Sequence, residues 1–326
     1  MPDPLTIWSN TKLPDDLLDR LQRSIAPHRI VQPANATANN LAGAPRDPQL
    51  DRADVALGQP DPDQVMGNAR LKWVQLTTAG YTRYDAPAFR EAVKRNGTIV
   101  CNASSIYAEP CAQHALAMML ALARRLPQAL ENQRGGREWP YLPLRSESRL
   151  LNGQTVLLVG YGAIARRLAE LLAPMRMNVI GFRRHPRGDE AGVRVLAVTE
   201  LDDWLPRGDH VVNILPLSRQ TELFFNATRL AKLKRTACYY NIGRGSTNDE
   251  YALWTALETR HFAAAYIDAT MAEPLPPDDP LWSAPNCYIT PHTAGGHDDE
   301  FARHVEMFIE NLRRLQAGEE LIDRIM

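Results

Sequence analysis

Little in this chain points to a membrane, a metal or a disulfide framework. Its four cysteines, Cys101, Cys111, Cys238 and Cys287, are dispersed, with no metal-ligand spacing and no disulfide-dense pattern. No apolar run approaches the ~20 residues of a bilayer span, and the nearest, Ala115 to Ala123, is much too short. The start, Met1-Pro-Asp-Pro-Leu-Thr, has no basic segment leading into an apolar core, so no secretory signal is read there. Neither repeats nor low-complexity tracts interrupt the sequence. Excess charge is missing too: a net charge of -1 argues against a broad nucleic-acid surface. The expectation is a reduced, cytoplasmic protein that engages neither membranes nor nucleic acid. At 326 residues and 44% hydrophobic content, the chain has material for about two globular domains.

The most informative stretch is Thr155-Val-Leu-Leu-Val-Gly-Tyr-Gly-Ala-Ile-Ala-Arg-Arg-Leu-Ala-Glu-Leu-Leu172. A short apolar run ends in Gly160, passes Gly162, and continues through Ala163 and Ile164 with apolar residues at helical spacing. This is strand, tight turn, helix. Gly160 permits the turn, Gly162 leaves room for close backbone approach, and Ala165 takes the small position where helix packs on strand. Phosphates placed there would meet unpaired N–H groups at a helix N-terminus.

About 20 residues further on, such a site normally carries an acid for the ribose hydroxyls. Here the strand Met177–Phe182 runs into Arg183-Arg184-His185-Pro186-Arg187. Planar guanidinium groups suit a 2′-phosphate, because they can pair its oxygens bidentately. The cofactor expected is therefore NADP(H) in preference to NAD(H), the competing reading being a solvated basic loop.

Strand and helix patterns alternate along the rest. Strands are predicted at Leu5–Trp8, Asp54–Leu57, Lys72–Leu76 and Thr98–Cys101, with a helix at Asp15–Ser24. Pro110 is predicted to open a helix, Cys111–Ala123, that is apolar nearly all round and so should be buried between domains or subunits. Gln133 to Ser148 reads as a polar loop or arm. Buried strands follow at His210–Leu215, Thr236–Ile242 and Ala263–Ala269, then a last short strand at Cys287–Thr290, with helices around Ala227–Leu233, Glu250–Thr259 and Phe301–Leu315. An open sheet of this kind binds ligands outside the carboxyl ends of its strands.

Three of those ends carry chemistry: Asn241-Ile-Gly-Arg244-Gly, Asp268-Ala-Thr-Met-Ala-Glu273-Pro, and Thr290-Pro-His292-Thr-Ala-Gly-Gly296. Reducing a ketone develops alkoxide charge, so a cation and a proton donor must both lie near that oxygen. Taken singly, His292 could be a strand cap, Arg244 a loop ion pair and Glu273 a solvated acid. Their joint placement carries the reading.

These motifs, together with Leu71-Lys-Trp-Val-Gln-Leu-Thr-Thr-Ala-Gly80, resemble the D-2-hydroxyacid dehydrogenases over nearly the whole chain. With arginines replacing the usual acid, the chain is most similar to the NADPH-dependent glyoxylate and hydroxypyruvate reductases. The resemblance implies an α/β fold in which a Rossmann dinucleotide-binding domain (104–296) is inserted in a discontinuous, flavodoxin-like substrate domain (1–103 and 297–326). It further implies that Arg244 holds the substrate carboxylate and carbonyl oxygen, with Thr78, Ala79 and Gly80 beside the same carboxylate. His292 would donate the proton, and Glu273 would favour its imidazolium form. Leu215, Pro216, Ser218, Thr221, Ile242, Asp268 and Gly295 would line the cofactor, Asp268 facing the nicotinamide carboxamide. A homodimer is implied, with the apolar helix and the following arm at its contact.

Two residues depart from the family pattern. Gln113 stands where an acid is common, and Asn248 where a Val is common. The function expected is hydride transfer between NADP(H) and a small 2-oxo acid/D-2-hydroxy acid pair. Two other readings compete: an NAD-preferring dehydrogenase of a bulkier D-2-hydroxy acid, and a non-catalytic dinucleotide-sensing protein like the corepressors of this fold.

Overall fold

Two parallel sheets organise the chain, each with apolar residues on both faces. In the computed structural model residues 3–39 and 42–326 are described, so Met1 and Pro2 of the chain start lie outside the described residues. The chain divides into two units, 1–107 with 296–326, and 108–295.

The first unit contains β1 (Thr6–Ser9), β2 (Arg29–Val31), β3 (Val55–Gly58), β4 (Trp73–Leu76) and β5 (Ile99–Cys101), in the order β2-β1-β3-β4-β5. All pairs are parallel, and this order is the flavodoxin-like one. Alternate residues point to opposite faces of a strand. Ile7, Val55, Leu57 and Trp73 accordingly join one core with Val305, Phe308 and Leu312 of the C-terminal helix Glu300–Ala317. Trp8, Ala56, Val74 and Leu76 join the other, with Phe89 and Val93. Trp73 stacks on Phe308 with ring centroids 4.8 Å apart, a contact worth about 0.5–1.5 kcal/mol beyond burial. Fully buried Asn311 donates from Nδ2 to Gln75 Oε1 at 2.9 Å. These contacts make the C-terminal segment part of the N-terminal unit.

The second unit contains β6 (Thr155–Val159), β7 (Asn178–Arg183), β8 (Arg194–Ala197), β9 (His210–Asn213), β10 (Cys238–Asn241), β11 (Ala264–Ile267) and β12 (Cys287–Ile289). The order β12-β11-β10-β9-β6-β7-β8, parallel throughout, is a doubly wound Rossmann sheet. The strand order reverses between β6 and β9, which makes the crevice at their carboxyl ends the ligand-binding position of such a sheet. Leu157 and Val159 belong to one core, Val156 and Leu158 to the other, so the run Thr155–Val159 is apolar because it is covered on both sides.

Two sequence expectations are corrected. The helix predicted to open at Pro110 begins at Ser104 and keeps Pro110 inside it. Its first amides are capped by side chains: Asn102 Oδ1 accepts from Ser104 N (3.2 Å) and Asp323 Oδ2 from Ser105 N (2.7 Å). A cap supplied from residue 323 leaves no local signal. The polar arm Gln133–Ser148 is also partly helical, at Tyr141–Glu147 and at its start, where the helix Leu126–Arg134 ends; Pro127 and Pro143 each sit in a first turn, where a missing N–H does no harm.

Candidate active site

Gly160 follows the central strand β6 with φ +100°, a conformation that side-chain-bearing residues rarely adopt. A Cβ there would lie 2.7 Å from the Ile214 carbonyl oxygen, so only glycine lets the turn after β6 pack on the loop after β9. Gly162 differs: a Cβ would meet nothing nearer than 3.9 Å, which leaves this side of the turn open. Gly162 caps the helix Ala163–Leu172, whose first-turn N–H groups, those of Ala163 and Ile164 among them, have no partner within the helix. The residues fit a pyrophosphate at this turn.

Arg183 ends β7 and Arg184 is exposed just beyond it. Arg183 Nη1 lies 2.6 Å from Glu190 Oε1, so this guanidinium carries an internal counter-ion. On the other side of the crevice, Leu215 is buried and Pro216 exposed. Ser218 and Thr221 close a loop on themselves: Thr221 Oγ1 donates to Pro216 O (2.6 Å) and accepts from Ser218 N (2.7 Å). The Thr221 hydroxyl thus shapes its own loop.

Arg244 is set by the packing of three loops. A Cβ on Gly245 would fall 1.9 Å from the Thr270 carbonyl carbon, so the loop after β10 lies directly on the loop after β11. Asn241, fully buried, donates from Nδ2 to Arg244 O (3.2 Å) and Ala269 O (3.0 Å), and accepts from Gly243 N (3.1 Å). Arg244 Nη1 donates to Gly243 O (2.7 Å). Burial pushes this guanidinium below its ordinary pKa, and the negative charge of Glu273 opposes the shift. Ile242 is buried and donates its amide to Asn213 O (3.1 Å).

His292 and Glu273 meet directly. Glu273 Oε2 and Oε1 lie 2.8 and 3.0 Å from His292 Nδ1, and Glu273 Oε1 also accepts from Thr270 N (3.2 Å). With Nδ1 turned to that carboxylate, Nε2 points the other way. His292 has φ +52°, a left-handed conformation that costs a β-carbon residue energy and recurs at functional sites. Asp268 supports this turn from beneath. Its carbonyl accepts from His292 N (2.9 Å), and its carboxylate accepts from Thr293 N (2.9 Å) and Ala294 N (3.1 Å). Gly295 lies in the same loop and is the last residue of the second unit.

The structure gives partners to residues that motif reading passed over. Thr290 Oγ1 donates to Asp268 Oδ1 (2.5 Å), so the Tyr266 hydroxyl, 2.5 Å away, donates its hydrogen bond to Thr290 Oγ1. That hydroxyl then accepts from His114 Nε2 at 2.6 Å, which fixes the His114 tautomer. Asn213 joins the cofactor-side loop to the Arg244 loop: its Oδ1 accepts from Leu215 N (3.1 Å), and its Nδ2 donates to Thr247 Oγ1 (2.8 Å), which donates to Arg244 O (2.6 Å). The departure Asn248 is buried in this network, accepting from the Tyr239 hydroxyl and Asn213 Nδ2. Gln113 donates to Glu109, which pairs with Arg167. Apart from Glu109 and Gln113, which have the i, i+4 spacing of one helix, these polar partners follow no periodic pattern, so only coordinates find them.

In the first unit, the Thr78–Gly80 loop follows β4. Its carbonyls are all engaged: Thr78 O accepts from Ala103 N (3.0 Å), Ala79 O from Asn102 Nδ2 (2.8 Å) and Gly80 O from Thr78 Oγ1 (2.6 Å). The amides of Ala79 and Gly80 donate to no described residue.

The model of the D-isomer specific 2-hydroxyacid dehydrogenase NAD-binding domain matches residues 116–294, more than half of the chain. The chain belongs to that family. It is an oxidoreductase of the class that acts on CH–OH donors, with a nicotinamide-dinucleotide-binding domain. Similar proteins include a glyoxylate reductase of Korarchaeum cryptofilum, 32% identical over 77% of this chain and 74% of that one. Glyoxylate/hydroxypyruvate reductase B of Klebsiella pneumoniae is 29% identical over 92% of this chain and 91% of its own. Among solved structures, a D-isomer specific 2-hydroxyacid dehydrogenase from Xanthobacter autotrophicus, in complex with NADPH and MES, is 27% identical with a TM-score of 0.80, covering 100% of this chain and 98% of that one. Among its described residues this dehydrogenase has no helix long and apolar enough to cross a membrane.

Proposed function

We propose that this dehydrogenase reduces a short 2-oxo acid, of the glyoxylate or hydroxypyruvate class, with NADPH. The observation that carries the reading is the His292–Glu273 pair, held at 2.8 Å on a strained turn beside the Arg244 loop. Nδ1 anchored on a carboxylate keeps the imidazole oriented, leaving Nε2–H to protonate the carbonyl oxygen. Arg244 supplies a cation for the carboxylate and the developing alkoxide, and Asp268 keeps the His292 turn in place. NADPH, when bound, supplies the hydride. In the other unit, Ala79 and Gly80 are proposed as amide donors to an anion. The relatives named glyoxylate reductase and glyoxylate/hydroxypyruvate reductase B support the substrate class, and the NADPH complex of the Xanthobacter relative supports the cofactor.

A steady-state panel of short 2-oxo acids with NADPH and NADH tests this. Turnover should be fastest with NADPH and a two- or three-carbon acid. Absence of turnover with every acid would reject it. Arg183 and Arg184 are assigned to the 2′-phosphate. Replacing both by glutamine should weaken NADPH by about tenfold or more and NADH little, on the strength of charge-assisted hydrogen bonds. Equal weakening of both cofactors would remove the assignment.

Homodimer formation and a cytoplasmic location belong to the same proposal. Trp139 is 91% exposed and Leu142 71% exposed, and Tyr141 lies between them on the arm. Large exposed apolar groups gathered on one segment mark an interaction surface. Light scattering at micromolar protein should report twice the 36.5 kDa chain mass; a monomer would contradict it. The four cysteines are free, as a reducing compartment would keep them.

A further inference from the structure

A dinucleotide site that takes NAD places an acid at the end of its second strand, to accept from the ribose hydroxyls. Arg183 occupies that end here, but a carboxylate reaches the same place from the following loop. Glu190 Oε1 lies 2.6 Å from Arg183 Nη1, and its Oε2 lies 3.5 Å from Arg166 Nη1, on the helix that starts at the glycine turn. Each carboxylate oxygen therefore faces one guanidinium. Neighbouring Asp189 is directed elsewhere, its Oδ1 accepting from Val195 N at 3.4 Å.

Backbone geometry holds Glu190 in that position. Glu190 N donates to Val193 O (3.0 Å) and Val193 N donates back to Glu190 O (2.9 Å), closing a two-residue turn. The residues between, Ala191 and Gly192, have φ of +50° and +80°. Two successive left-handed residues are the pattern of a type I′ turn. Alanine adopts that conformation at a cost, so closure of the turn and its pairing hold it there. The backbone of Glu190 is thus fixed by main-chain bonds, independently of its ion pairs.

We infer that Glu190 is a specificity-determining residue: it accepts from the ribose 2′-hydroxyl of NADH and opposes the 2′-phosphate of NADPH, so that the Arg183–Glu190 pair admits both cofactors. This rests on the dinucleotide reading above. A carboxylate readily accepts a hydrogen bond from a hydroxyl, and its charge is balanced by Arg183 and Arg166 when it does so. A 2′-phosphate brings its own negative charge to the same two guanidinium groups. It then competes with Glu190 for them and is repelled by it. Glutamine keeps the size of the side chain and removes the charge on which both effects depend.

The experiment is a direct fluorescence titration of NADPH and of NADH, without any 2-oxo acid, on the wild type, Glu190→Gln and the Arg183→Gln/Arg184→Gln variant. Glu190→Gln should bind NADPH several-fold more tightly and NADH several-fold more weakly, raising the NADPH/NADH affinity ratio by about tenfold or more. A ratio that is unchanged, or that moves toward NADH, overturns the inference. Loss of binding to both nucleotides by Glu190→Gln alone would also overturn it, since the carboxylate would then be structural. The arginine variant separates this from the underlying reading: selective loss of NADPH there keeps the 2′-phosphate site whatever Glu190 does. If the wild type binds neither nucleotide, the dinucleotide reading fails, and the role of Glu190 with it.

Discussion

Replacing His292 by alanine is expected to lower turnover by about two to four orders of magnitude while leaving NADPH affinity nearly unchanged. The size follows from the worth of a positioned general acid. The selectivity follows from geometry. His292 meets Glu273 through Nδ1 and hangs from the carbonyls of Asp268 and Thr290 by its amide, both at 2.9 Å, so removing the imidazole leaves the backbone of the turn tied down. Because His292 sits at φ +52°, His292→Asn is the better second variant. Asparagine tolerates the left-handed region but cannot act as an acid near neutral pH. Both variants should lose turnover alike, in rapid-mixing as well as steady-state assays. Retained turnover in either removes His292 from the proton transfer.

The second large effect is expected at Arg244. Arg244→Gln should reduce kcat/KM for a 2-oxo acid by roughly a hundredfold or more, about 3 kcal/mol, the scale of losing one partner of a buried charged pair. Much of the loss should appear in KM, because a carboxylate anchor acts in the ground state and the transition state alike. Arg244→Lys should recover only part of it, since an ammonium keeps the charge but not the planar fork. The residue is tied in place: Arg244 Nη1 donates to Gly243 O at 2.7 Å, and Arg244 O accepts from Asn241 and Thr247. An unchanged KM in Arg244→Gln would end the assignment.

How much of this could be read from the chain varies with the reach of each interaction. The strand-turn-helix at Thr155–Leu172 was legible because its signals are local: an apolar run, two glycines and a 3.6-residue period within one stretch of chain. The α/β class was legible for the same reason, and the buried strands β6, β9, β10 and β11 lie within the predicted runs. The short strands β2 and β8 were missed. Each has only three or four residues, with an exposed arginine at its start, and becomes a strand by pairing with a neighbour already in place.

The sites divide along the same line. Residue types at strand ends pointed to Arg244, Glu273 and His292, because a doubly wound sheet delivers its strand ends to one edge. Polar side chains recruited from distant segments left no trace in the sequence. Asp323 caps the helix at Ser105, and the hydrogen-bond chain His114–Tyr266–Thr290–Asp268 draws its members from three separate segments of the chain. Periodicity and turn chemistry are properties of adjacent residues, so the linear order specified the elements and the loops that carry function. A hydrogen bond or ion pair needs two groups within about 3 Å, and for groups far apart in sequence only the folded chain decides which of them meet.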